Sequence, residues 1–137
     1  MSARELAGGI TLALTVSLNF PCAFASNSAP VSFQSDLLPV LKARCAVCHM
    51  TGKEPGGMAL TPDSAWSDLV DQPSLGLPSM KRVTPAEPQS SYLLHKLRGT
   101  HRSAGGAGSR MPMHQPPLAG AVMGQFERWV MSGAPDN

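Results

Sequence analysis

The residues with the most chemical content are Cys45-Ala46-Val47-Cys48-His49. Two thiols three positions apart at the end of a helix can reach two vinyl groups on one edge of a porphyrin. His49, the next residue, is then directed at the iron from one face. This Cys-x-x-Cys-His spacing is the pattern of c-type haem attachment. The chemistry needs both thiols reduced at attachment and an imidazole nitrogen free to bind iron.

Three other chemistries use a cysteine pair. A zinc site needs further donors, but no second Cys pair follows and the remaining histidines lack finger spacing. A thioredoxin-like redox pair sits in a βαβ pattern, which is absent around residue 45. A structural disulfide would suit an exported chain. An export signal, a short helical chain and a downstream Met favour haem over these three.

Iron held by His49 has a sixth position to fill. Beyond the signal segment the candidate donors are Met50, Met58, Met80, Met111, Met113, Met123, Met131, His95, His101 and His114. Met50 is adjacent to His49 and cannot cross a porphyrin ring. Met123 and Met131 fall on the last expected helix, where a thioether more often fills core space. Met111 stands out, because it ends a Gly-rich stretch and precedes Pro112. A flexible approach followed by a fixed turn can set a thioether over the iron. Met113 is the main alternative.

The elements that must position these groups read as helices joined by long loops. Phe33, Leu37, Val40 and Leu41 recur at helical spacing and lead into Cys45. Asp36 is the expected cap, with Pro39 in the first turn, where a missing N–H is harmless. Thr61-Pro62-Asp63-Ser64 predicts a helix start with Thr61 as cap and a short helix through Val70. Residues 72 to 90 hold four prolines and should be mostly irregular. A helix over 91 to 97 should stop at Gly99. A last helix over about 119 to 132 carries Val122, Phe126, Trp129 and Val130 on one face and ends at Gly133. No segment alternates with period two, so the expected class is all-α.

The 137 residues suit one domain, with 42% hydrophobic and 15% charged residues. That composition is not one of a disordered chain. Thirteen Gly and thirteen Pro imply much loop, and aromatics are only 5%. A buried cofactor would add apolar surface to a thin core. The formal charge of +2 is too small to argue for nucleic acid. Residues 1 to 25 read as a secretory signal. Arg4 precedes an uncharged, mostly apolar run over residues 6 to 18, too short to span a bilayer. Ala23-Phe24-Ala25 gives a small-x-small cleavage pattern before Ser26. Cys22 could suggest a lipid anchor, but Asn19-Phe20-Pro21 lacks the small residues for such processing. Residues 26 to 32 read as linker and 33 to 137 as the folded domain. The expected location is periplasmic or otherwise exported.

From Phe33 onward the order of features resembles class I cytochrome c, in particular its small bacterial monohaem domains. The resemblance rests on Asp36-Leu37-Leu38-Pro39-Val40-Leu41 before the attachment motif and on Gly56-Gly57-Met58-Ala59-Leu60 after it. It continues through Tyr92-Leu93-Leu94-His95-Lys96-Leu97, Arg110-Met111-Pro112-Met113 and Trp129-Val130-Met131-Ser132-Gly133-Ala134-Pro135. It implies a cytochrome c-like fold of about four helices wrapped around one covalent haem c. Cys45 and Cys48 would be the thioether attachments, His49 the proximal iron ligand and Met111 the distal one. The carbonyl of Pro55 would accept a hydrogen bond from His49. First and last helices would cross, with Leu41 meeting Trp129 or Phe126. The family usually has Leu where Met58 stands. The stretch over 73 to 88 is longer than in the smallest members, so propionate contacts do not carry over; Lys81, Arg82 and Trp66 are the residues considered for them.

The implied function is one-electron transfer to and from redox partner proteins, without catalysis, nucleic acid or a membrane span beyond the signal. Two other classes compete. A haem enzyme or gas sensor would keep the distal position open or labile and use His101 or His114 as acid or base. A non-haem structural or metal-binding module would leave the cysteines for another purpose.

Overall fold

The computed structural model describes Met1 and residues 29 to 137; residues 2 to 25 of the expected signal segment and residues 26 to 28 of the linker lie outside the described residues. Among the described residues regular structure begins with a π-helical turn, Phe33–Leu37, that runs into α1, Leu38–Arg44. Then come α2, Ala65–Leu69, a 3-10 turn at Pro88–Ser90, α3, Tyr92–Arg98, and α4, Gly120–Met131. Among the described residues there are no strands, only isolated bridges such as Val70 with Val83 and Pro73 with Lys81. The class is all-α, with four α-helices among the described residues, as the spacing of apolar residues implied.

The first helical run starts earlier than expected. Ser32 is its cap, its hydroxyl accepting from the Ser35 N–H at 3.1 Å. Asp36 reaches back and accepts the Ser32 N–H at 2.9 Å. The pair satisfies two orphan donors reciprocally, with Asp36 as its second half and not as the cap. Pro39 accounts for the π turn. It has no N–H for the Ser35 carbonyl, and its ring would crowd that carbonyl in a tighter turn. The wider turn bonds the Leu38 N–H to Phe33 O instead.

Three other boundaries are informative. Thr61 does not cap α2. Its carbonyl accepts from the Ser64 and Ala65 N–H groups in a turn, so regular helix begins only at Ala65 and stops at Leu69. Gly99 ends α3 in the left-handed region at φ +81°, where glycine has no Cβ penalty. Helix α4 runs as expected and turns out at Gly133.

The helices are short, so packing rather than local propensity must hold them. One core gathers Phe33, Leu37 and Leu41 from the first run, Leu93, Leu94 and Leu97 from α3, and Phe126, Trp129 and Val130 from α4. Leu41, Phe126 and Trp129 share this core. The aromatic partner of Trp129 in the first run is Phe33, with ring centroids 5.1 Å apart and planes tilted by 31°. The C-terminal tail closes over this contact. Trp129 Nε1 donates to Pro135 O at 2.8 Å, and Asn137 accepts from the Phe33 and Gln34 N–H groups. Among the described residues no helix is long and apolar enough to cross a membrane.

Candidate functional site: a cavity shared by the cysteine motif and the methionine loop

Helix α1 ends at Cys45, and the chain continues in hydrogen-bonded turns. The Cys45 carbonyl accepts from the Cys48 and His49 N–H groups, both at 3.1 Å. The Leu60 N–H then returns to His49 O at 2.7 Å, closing residues 50 to 59 as a loop. Cys45, Cys48 and His49 line a cavity of about 520 Å³ whose surface also includes Met58, Leu60, Leu69, Leu93 and Leu97. That size lies in the range of roughly 300–1,000 Å³ for cofactor and ligand sites.

Both thiols are free. Burial pushes the Cys45 thiol up to about 11, against a smaller downward pull from Arg44. It is therefore a thiol at neutral pH. His49 is 7% exposed, and burial is the first cause that holds its imidazole below the ordinary histidine range. A neutral imidazole is the form that binds a metal. Its buried Nδ1 has no hydrogen-bond partner.

That last observation corrects one expectation. Pro55 lines the cavity, but its carbonyl does not take a hydrogen bond from His49. The neighbouring Gly56, at φ +105°, brings backbone against the ring: a Cβ there would sit 3.4 Å from His49 Cε1. Arg82 Nη2 gathers the carbonyls of Gly56 and Gly57 at 3.0 and 2.8 Å, while its Nη1 donates to Asp68 O at 2.6 Å. The loop is thus pulled toward Arg82 while it packs on His49.

Of the candidate sixth donors, Met58, Met111 and Met113 line the same cavity as His49. Met58 sits beside the histidine, since its Cε and the His49 ring both press on Gly56. Met111 is half-buried and packs against the core, with its N–H on Lys96 O at 3.0 Å. Met113 is 45% exposed. Met111 is thus the more buried of the two loop methionines. The remaining donors lie elsewhere. Met50 and Met131 are exposed, Met80 lines a different depression, and Met123 packs on the core. His95 is engaged with Thr100 and Gln89, His101 is buried inside its own loop, and His114 is exposed.

Of the three residues considered for propionates, only Arg82 reaches the cavity. Lys81 pairs with Asp71, and Trp66 donates to Ala134 O. Sequence reasoning missed Tyr92, Lys96 and Arg44, all of which line it. Tyr92 and Lys96 are four residues apart on α3, so their shared face was legible from helical spacing. Among the described residues no cluster of three or more His, Cys, Asp or Glu side chains could hold a metal ion. Comparison with family models, with curated proteins and with solved structures finds no match for this chain.

Proposed function

We infer that this chain is a monohaem c-type cytochrome with a cytochrome c-like fold, exported to the periplasm or a similar compartment, that passes single electrons between redox partner proteins. One observation carries the reading: the Cys45-x-x-Cys48-His49 motif and Met111, more than 60 residues apart in sequence, line one largely apolar cavity. The residues fit a haem c. Two reduced thiols could form thioether bonds, and a neutral imidazole and a half-buried thioether could bind the iron.

The haem supplies a one-electron couple between ferric and ferrous iron. Cys45 and Cys48 would hold it through thioether bonds to its two vinyl groups. His49 and Met111 would be the iron's two protein ligands and would leave it no free position for a substrate. Soft sulfur at Met111 favours the ferrous state and raises the potential relative to two imidazoles. Leu60, Leu69, Leu93 and Leu97 exclude water from the cavity. Arg82 and Lys96 place positive charge at its lining, suited to carboxylates.

The test is maturation in cells that carry the haem-attachment machinery. Denatured protein should keep haem-linked peroxidase staining at its own gel band. Cys45→Ala and Cys48→Ala should each weaken or abolish it. A colourless wild-type band, under conditions that mature other c-type cytochromes, would sink the reading.

A further inference from the structure

We propose that His101 is the positioning residue that sets the loop carrying Met111, and so governs how firmly sulfur binds the iron. The inference rests on the haem reading above and goes beyond it, because His101 does not touch the cavity. A histidine in a Gly-rich surface loop should be exposed, yet His101 is only 2% exposed. Its own loop is wound around it. The His101 carbonyl accepts from the Gly106 N–H at 2.8 Å, and its Nε2 meets Gly108 O at 3.0 Å. A carbonyl can only accept, so Nε2 carries the proton and donates. The buried Nδ1 has no partner.

The consequence lies three residues further on. Three consecutive carbonyls of the approach to Met111 are held by side chains. Tyr92 Oη and Lys96 Nζ donate to Ala107 O, His101 to Gly108 O, and Lys96 again to Ser109 O. The Met111 N–H is fixed on Lys96 O. Tyr92 and Lys96 line the cavity and meet whatever occupies it, whereas His101 acts on the loop from behind. Glycine makes the stretch adaptable, with positive φ at Gly105 and Gly108. Ala107 is also tied by its N–H to Gly76 O at 3.1 Å, whereas the Gly108 carbonyl has the His101 ring as its donor. Loss of that donor leaves the Gly108 carbonyl unpaired and loosens the middle of the approach to Met111, between the points held by Tyr92 and Lys96.

The experiment compares wild type, His101→Leu and His101→Gln as holoproteins. Gln can place an amide N–H near the position of Nε2; Leu cannot donate. Three readouts are taken: covalent haem, the weak long-wavelength sulfur-to-iron band of the ferric protein, and affinity for added imidazole. Expected for H101L are covalent haem retained, a diminished sulfur band, and imidazole affinity raised about tenfold, the equivalent of one lost buried hydrogen bond. H101Q should restore band and affinity toward wild type. An H101L protein with wild-type band and affinity overturns the proposal, as does failure of both variants to hold haem. Ring ¹⁵N shifts of wild-type His101 give a check that needs no variant: a proton on Nδ1 instead of Nε2 also overturns it. Wild type without covalent haem is a different outcome, because it removes the cytochrome reading itself.

Discussion

Trp129→Ala tests the scaffold on which the site is built. The indole is 0% exposed, stacks at a tilt on Phe33 and donates from Nε1 to Pro135 O at 2.8 Å. Truncation removes the largest fully buried side chain of the described residues and leaves a hole between the first helical run and α4. Removing a buried Trp costs about 3–5 kcal/mol, the transfer and cavity contributions together. The lost N–H bond contributes about 1 kcal/mol of this class of effect by itself. Packing therefore dominates, and Trp129→Phe separates the two. It keeps a ring against Phe33 and should lose only about 1–3 kcal/mol. Urea unfolding followed by far-ultraviolet circular dichroism measures both, with an unchanged slope as the sign that the unfolded state is the same. A loss below about 1 kcal/mol for Trp129→Ala would refute the argument that the two ends of the chain are joined through this side chain.

Met111→Ala should abolish the sulfur-to-iron band and open the iron to imidazole, whereas Met113→Ala should keep the band; the reverse pattern would move the ligand to Met113. A wild-type protein whose ferrous form takes up carbon monoxide readily would favour the enzyme or sensor class instead. Glu54 titrates at about 2 against an ordinary 4.5, first because its own backbone N–H favours the carboxylate and further because Thr51 donates to it. A depressed folded value gives stability that is present above about pH 4.5 and lost as pH falls toward 2, so E54Q should flatten the acid end of a plot of urea midpoint against pH. A Cβ at Gly106 would lie 2.3 Å from Tyr92 Oη, while one at Gly120 meets nothing within 4 Å. Gly106→Ala should therefore destabilise by about 1–3 kcal/mol and weaken the sulfur band, while Gly120→Ala should be neutral or mildly stabilising.

What the sequence carries legibly is what depends on near neighbours. The attachment motif is five consecutive residues, and helices α3 and α4 are bounded by Gly99 and Gly133, whose backbone preferences are local. The errors share a cause. Asp36 looked like a cap because it precedes an apolar run, but the same carboxylate works equally well as the far half of a pair with Ser32. Choosing between them requires knowing that Pro39 widens the turn. Thr61 looked like a cap for the same reason, and its backbone carbonyl took the part its side chain was assigned. The Pro55 hydrogen bond failed at longer range, because the course of that loop is set by Arg82, about 25 residues away in sequence. In the sequence His101 figures as a candidate iron donor and, with His114, as a possible acid or base of the haem-enzyme alternative. Nothing in periodicity reveals that a loop closes on its own side chain.

The two halves of the molecule divide their work in a way that composition alone only suggested. Phe33, Phe126 and Trp129 form a core that does not line the cavity. Leu60, Leu69, Leu93 and Leu97 belong both to that core and to the cavity surface. The aromatic cluster joins the first helical run to α4. The shared leucines couple that packing to the site, because any group bound on the cavity side packs against side chains already fixed from behind. The methionine loop has no such backing: it contributes Met111 to the rim of the core and is otherwise held by polar contacts to its carbonyls. Cys45 packs against the core and His49 and Cys48 follow it in hydrogen-bonded turns, whereas the approach to Met111 is held mainly by hydrogen bonds from side chains. Hydrogen bonds of this kind are worth about 1 kcal/mol each, against several for a buried aromatic. On the proposed haem reading, the iron contact most open to adjustment, by substitution or by evolution, is therefore the one to Met111.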